Sequence, residues 1–66
     1  MTVTIKIKCD NAAFEEPCAG TELGDILAKI ARDVDGENDQ WLKSVFHGHT
    51  IMDHNGNLVG SVTVSE

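Results

Sequence analysis

The residues best equipped for chemistry lie in one short run, Asp53-His54-Asn55-Gly56-Asn57. Oxygen-bearing side chains fill its first, third and fifth places, the opening of a calcium-binding loop. Calcium is a hard cation that takes six to eight oxygens from carboxylates, amides and backbone carbonyls. The run departs from the EF-hand pattern, because Leu58 stands where that loop needs its glycine and Val64 where it needs its bidentate glutamate. What remains is a composite calcium site in which Asp10 and Asn11 complete a set begun by Asp53, Asn55 and Asn57. The same residues are ordinary turn formers, since Asn, Asp and Gly suit the backbone angles that turns require.

Other chemistries find less support. Cys9 and Cys18 are spaced Cys-x8-Cys, and His47 and His49 are spaced His-x-His. Neither spacing is a usual structural zinc pattern. On a strand, His47 and His49 share a face that His54 does not, and Cys9 falls on an apolar face as a buried free thiol. No serine sits in a nucleophile elbow, neither cysteine has an obvious histidine to activate it, and no glycine-rich loop could cradle phosphate. The chain reads as a binding protein, not an enzyme.

These residues must be positioned by a small set of elements. Val3, Ile5, Ile7 and Cys9 alternate with Thr2, Thr4, Lys6 and Lys8, which predicts a strand with one apolar face. Asp10-Asn11 ends it, and residues 10–20, with Pro17 and Gly20, read as an irregular connection. Leu23, Ile26, Leu27, Ile30 and Val34 then form one helical stripe, with Thr21 as the expected N-cap and Gly36 as the stop. Residues 37–46 are ambiguous: Asn38 or Asp39 could cap a short helical turn carrying Trp41, Leu42, Val45 and Phe46. Asn55-Gly56 predicts a two-residue type I′ hairpin. After it, Leu58, Gly60, Val62 and Val64 line one face of the last strand.

The order β-α-β-β points to an α+β fold, a single three-stranded layer with one helix on one face. The helix returns the chain along the sheet, so the first two strands run the same way. Placing the third between them gives a fully antiparallel sheet of order 1-3-2, suited to one wet face. The expected core is Val3, Ile5, Ile7, Leu23, Ile26, Leu27, Ile30, Leu58, Val62 and Val64. That layout gathers Asp10, Asn11, the helix N-terminus and the hairpin tip at one pole.

At 66 residues and 7.1 kDa the chain reads as a single domain, residues 1–66. So small a domain buries only about 60% of its unfolded surface. Five basic against eleven acidic side chains leave a net charge of −6. Direct binding to nucleic acid is disfavoured, because lysine and arginine supply most affinity for phosphate. Basic protein surfaces are the favoured partners. The N-terminal segment lacks the continuous apolar run of a signal peptide or membrane span. A cytoplasmic protein with reduced thiols is expected.

Asp10-Asn11-Ala12-Ala13-Phe14 after a first strand, an acidic helix, and the hairpin Asp53-x-Asn55-Gly56-Asn57-Leu58-Val59-Gly60 form a recognisable pattern. It resembles a group of small proteins encoded by bacteriophages and prophages, across most of the chain except residues 37–48. Some compact acidic proteins of this kind are anti-CRISPR proteins. The resemblance implies a phage-derived interaction protein. Size, charge and the lack of catalytic residues extend that to an inhibitor of a type I (Cascade) effector, acting in the bacterial host cytoplasm. Its partner-binding candidates are Glu15, Glu16, Asp33, Asp35, Glu37, Asp39 and Trp41. The alternative is a phage accessory module, calcium-stabilised and without a CRISPR target.

Overall fold

A computed structural model describes residues 1–15 and 19–66 of the chain. The alternating N-terminal segment forms β1 (Thr2–Ile7), and the striped segment forms α1 (Ala19–Val34). A hairpin joins β2 (Thr50–Met52) to β3 (Leu58–Ser65). β3 pairs antiparallel with both neighbours, giving the order β1-β3-β2 that the connectivity predicts. The fold class is α+β.

α1 begins at Ala19, so Thr21 lies inside the helix and is exposed rather than capping it. The far end stops as expected. Gly36 adopts a φ of 79°, a left-handed conformation that glycine takes without steric cost, and the Glu37 N–H reaches the Val34 carbonyl at 3.0 Å. The ambiguous stretch is helical. Asn38 caps α2 (Asp39–Trp41), its side chain accepting from the Trp41 N–H at 2.9 Å, and a π-helical turn (Leu42–Phe46) continues it. Trp41 stacks on Phe46 at 5.9 Å, which seats this corner on the core.

The core departs from the expected set in an instructive way. Ile26, Ile30, Val62 and Val64 are buried as predicted, and Ile7 and Leu23 pack half-buried against them. Ala13, Phe14, Phe46, Ile51 and Val59 complete the cluster. Val3, Ile5, Leu27 and Leu58 do not join it. Val3 and Ile5 sit opposite Val64 and Val62, so their face was predicted correctly. Ile26 and Ile30 of α1 instead border a groove with β2, and the outer part of β1 stays uncovered.

Leu58 is displaced by register. Ile51 pairs with Gly60 but Met52 pairs with Leu58, leaving Val59 as an extra residue on β3. Such a bulge breaks the two-residue alternation, and Val59 takes the inward position while Leu58 turns out. Gly60 lies beside this bulge, where a Cβ would stand 2.0 Å from the Lys6 carbonyl oxygen. Only glycine allows β1 to close on β3 there.

Candidate functional site

The hairpin tip differs from a two-residue type I′ turn. That turn needs positive φ at both central residues, and among the described residues only glycines have it, Gly56 at 83°. The Gly56 N–H bonds to the Asp53 carbonyl at 3.1 Å and the Asp53 N–H to the Asn57 carbonyl at 3.0 Å. The loop is therefore His54-Asn55-Gly56, a three-residue connection with glycine in its left-handed position.

Asp53 organises this loop from a buried position, 6% exposed. Its Oδ1 accepts from the Asn55 and Asn57 backbone N–H groups, both at 2.9 Å. Its Oδ2 accepts from the Asn11 side-chain amide at 2.8 Å and the Asn57 side-chain amide at 3.3 Å. Burial alone would push the carboxyl pKa up. The bonds from the Asn57 N–H, the Asn11 and Asn57 amides and the Asn55 N–H outweigh it and hold the pKa below the ordinary aspartate value.

Asn11, Asp53, Asn55 and Asn57 thus meet at one pole. Asn11 also fastens the connection after β1, its Oδ1 accepting from the Ala13 N–H at 3.1 Å. Asp10 is exposed and faces Lys8 at 3.9 Å. Both Asp53 oxygens accept N–H donors, so a cation at this carboxylate has to displace amide donors. Among the described residues no group of three or more His, Cys, Asp or Glu side chains is placed to hold a metal.

A second contact at this pole was not legible in the sequence. Glu22, a charged side chain in the first turn of α1, is only 7% exposed. Its Oε2 accepts from the His54 backbone N–H at 3.1 Å, and its Oε1 pairs with the His54 imidazole. The signal available was position: Glu22 lies four residues before Ile26, on the packing side of the helix. The hydrogen bond to Glu22, then the charge of Glu22, raise the His54 pKa above the ordinary histidine value. Asp53 and Asp25 add to this against the opposing effect of burial. A carboxylate–imidazole pair could orient a proton-transfer group. The pair ties α1 to the hairpin as a clasp.

The other histidines make contacts of their own. The His47 Nδ1 accepts the Val64 N–H at 2.9 Å, taking up a donor of β3 beyond the end of β2. His49 packs on Phe46 at 5.9 Å. Cys9, expected to be buried, is exposed, because β1 ends before it. Between α1 and β2 runs a groove of about 240 Å³ floored by Ile26, Ile30 and Ile51, with Lys29, Asp33 and His49 at its rim.

Of the partner-binding candidates, Glu15, Asp33, Asp35, Glu37 and Asp39 are exposed, and Trp41 is half-buried against the core. Glu16 lies outside the described residues, as does Cys18. The four acids from Asp33 to Asp39 are all exposed within the seven residues over which α1 ends and α2 begins, and none has an ion-pair partner among the described residues. No helix of the described residues is long and apolar enough to cross a membrane. Compared with protein-family models, curated proteins and solved structures, the chain gives no match.

Proposed function

We propose that this chain is a phage-derived inhibitor that binds a type I (Cascade) CRISPR effector stoichiometrically and keeps target DNA off its basic surface. The observation that carries the reading is the run of exposed acids Asp33, Asp35, Glu37 and Asp39. Four exposed carboxylates lie within residues 33–39 of a chain at −6. Asp33 and Asp35 stand at the C-terminus of α1, where the helix dipole disfavours negative charge. Acids kept at an electrostatically costly place fit a role in binding. A subunit that holds guide and target strands must present positive charge, and a segment dense in exposed acids can occupy that surface.

The experiment is expression in a host with an active type I system. Plaque formation by a targeted phage should be restored. Changing Asp33, Asp35, Glu37 and Asp39 to lysine should weaken binding, chiefly through slower and less salt-sensitive association. Full immunity in the protein's presence, across several type I subtypes, overturns the reading.

The alternative, a phage accessory module stabilised by calcium, rests on the convergence of Asn11, Asp53 and Asn57 at one pole. Its test is the thermal one given below.

A further inference from the structure

Asn55-Gly56 carries a reactivity of its own. Of the chain's four asparagines only Asn55 precedes glycine; Ala12, Asp39 and Leu58 follow the others. Glycine has no side chain to shield its backbone nitrogen. That nitrogen can therefore reach the side-chain amide carbon of the residue before it and close a five-membered ring. Asn55 and Gly56 are both exposed at the hairpin tip, open to water and hydroxide.

The folded loop holds this reaction off. Once the Gly56 amide loses its proton, the attacking electron pair lies along the former N–H bond. In the fold that bond is engaged by the Asp53 carbonyl at 3.1 Å. The flanking backbone is fixed too, because Asp53 Oδ1 accepts from the Asn55 and Asn57 N–H groups, both at 2.9 Å. Glu22 holds the His54 N–H at 3.1 Å. Ring closure waits on opening of the tip, and each of these bonds opposes that opening.

We propose that Asn55 is a site of spontaneous deamidation gated by Asp53. When the tip opens, hydroxide takes the Gly56 amide proton and the nitrogen bonds to the Asn55 side-chain carbonyl carbon. The bond from that carbon to Nδ2 breaks, and Nδ2 takes up a proton and leaves as ammonia. Water then opens the succinimide at either carbonyl. One opening gives aspartate; the other gives isoaspartate, with the main chain rerouted through the side chain. The balance is one water consumed and one ammonia released. Either acid ionises, adding a negative charge to a chain at −6, in the loop that contains buried Asp53 and contacts buried Glu22. Isoaspartate also lengthens the loop by a methylene and moves the Gly56 N–H off the Asp53 carbonyl. The change is irreversible, so this pole loosens as the protein ages.

Peptide mapping by mass spectrometry during incubation in warm neutral buffer tests this, with native protein and guanidinium-unfolded chain side by side. In the unfolded chain Asn55 should convert first, while Asn57, hindered by Leu58, stays intact. In the native protein conversion at Asn55 should be slower by roughly ten- to a hundredfold, the span expected for opening an exposed loop tip. Asp53→Ala removes the Oδ1 acceptor and should bring the rate toward the unfolded value. Asn11→Ala takes one donor from Asp53 and should give a smaller acceleration; it serves if the first variant does not fold. Aged native protein should exchange its Asn57 amide faster than fresh protein. A native rate equal to the unfolded rate, an Asn55 that stays intact throughout that window, or a folded variant converting no faster than the native protein overturns the proposal.

Discussion

Buried Glu22 on α1 holds His54 twice, through the backbone N–H at 3.1 Å and through the imidazole. Because the pair raises the histidine pKa, its stabilisation is fully present below about pH 6.5, the unfolded histidine value. It is lost as pH rises through the higher folded value. Melting temperatures between pH 5.5 and 9 should show this contribution fading with pH in the native protein. The difference from His54→Ala should shrink as pH rises. Glu22→Gln should lower the His54 pKa, read from imidazole proton shifts. A His54 that titrates with an unperturbed histidine contradicts the clasp.

Asp53 acts at the other end of the pH scale. Its folded pKa is depressed, so its stabilisation is present above about pH 3.9 and is lost as pH falls through the lower folded value. Asp53→Ala should lower the melting temperature at neutral pH and flatten the acid limb of the stability profile. It also orphans the Asn55 and Asn57 N–H groups, so hydrogen exchange in the hairpin should quicken first.

The same carboxylate decides the calcium question. With both Asp53 oxygens accepting amide donors, the native protein should melt identically in calcium and in chelator. A calcium-dependent rise, absent in Asp53→Ala and smaller with magnesium, would instead establish the oxygen-rich pole as a cation site.

Packing separates two neighbours on α1. Ile26→Ala and Ile30→Ala should each cost roughly 2–5 kcal/mol, the usual range for emptying a buried branched position. Leu27→Ala should cost less than about 1 kcal/mol in dilute solution, because Leu27 is 45% exposed. Urea unfolding of the three variants checks the contrast.

Gly60→Ala should be more damaging than its size suggests. The added methyl would stand 2.0 Å from the Lys6 carbonyl oxygen, a backbone atom unable to swing aside. A loss of about 3 kcal/mol or more is expected, with β1 amides losing protection before those of β2. A near-neutral effect would show that β1 can shift on β3 at no cost.

Most of the architecture was legible because periodicity reports which way a side chain points. Alternation from Thr2 to Ile7 and the stripe from Leu23 to Val34 placed one strand and one helix, and the connectivity then placed β3 centrally. Periodicity does not report how far a cover reaches. Val3 and Ile5 lie on the predicted face and still meet solvent. A single bulge at Val59 reversed the parity at the start of β3, which no local pattern marked. At the pole, Asn11 and Asp53 were brought together as expected. The Glu22–His54 contact was missed because it joins residues 32 apart through one rotamer choice. The exposed acids needed no geometry to be seen.

The sheet order also governs when this fold can exist during synthesis. Neither β1 nor β2 pairs with the other; each pairs only with β3. While residues 58–65 are still inside the ribosome, no rung of the sheet can close. Helical α1 can form early from local contacts, but the strands wait for a partner made after both of them. Most of the sheet's closure therefore bridges distant sequence, such as Thr2 with Ser65, the kind of pairing that sets a slow folding rate. A ribosome stalled before Leu58 should hold a nascent chain with helix and no sheet, its N-terminal strand open to chaperones and proteases.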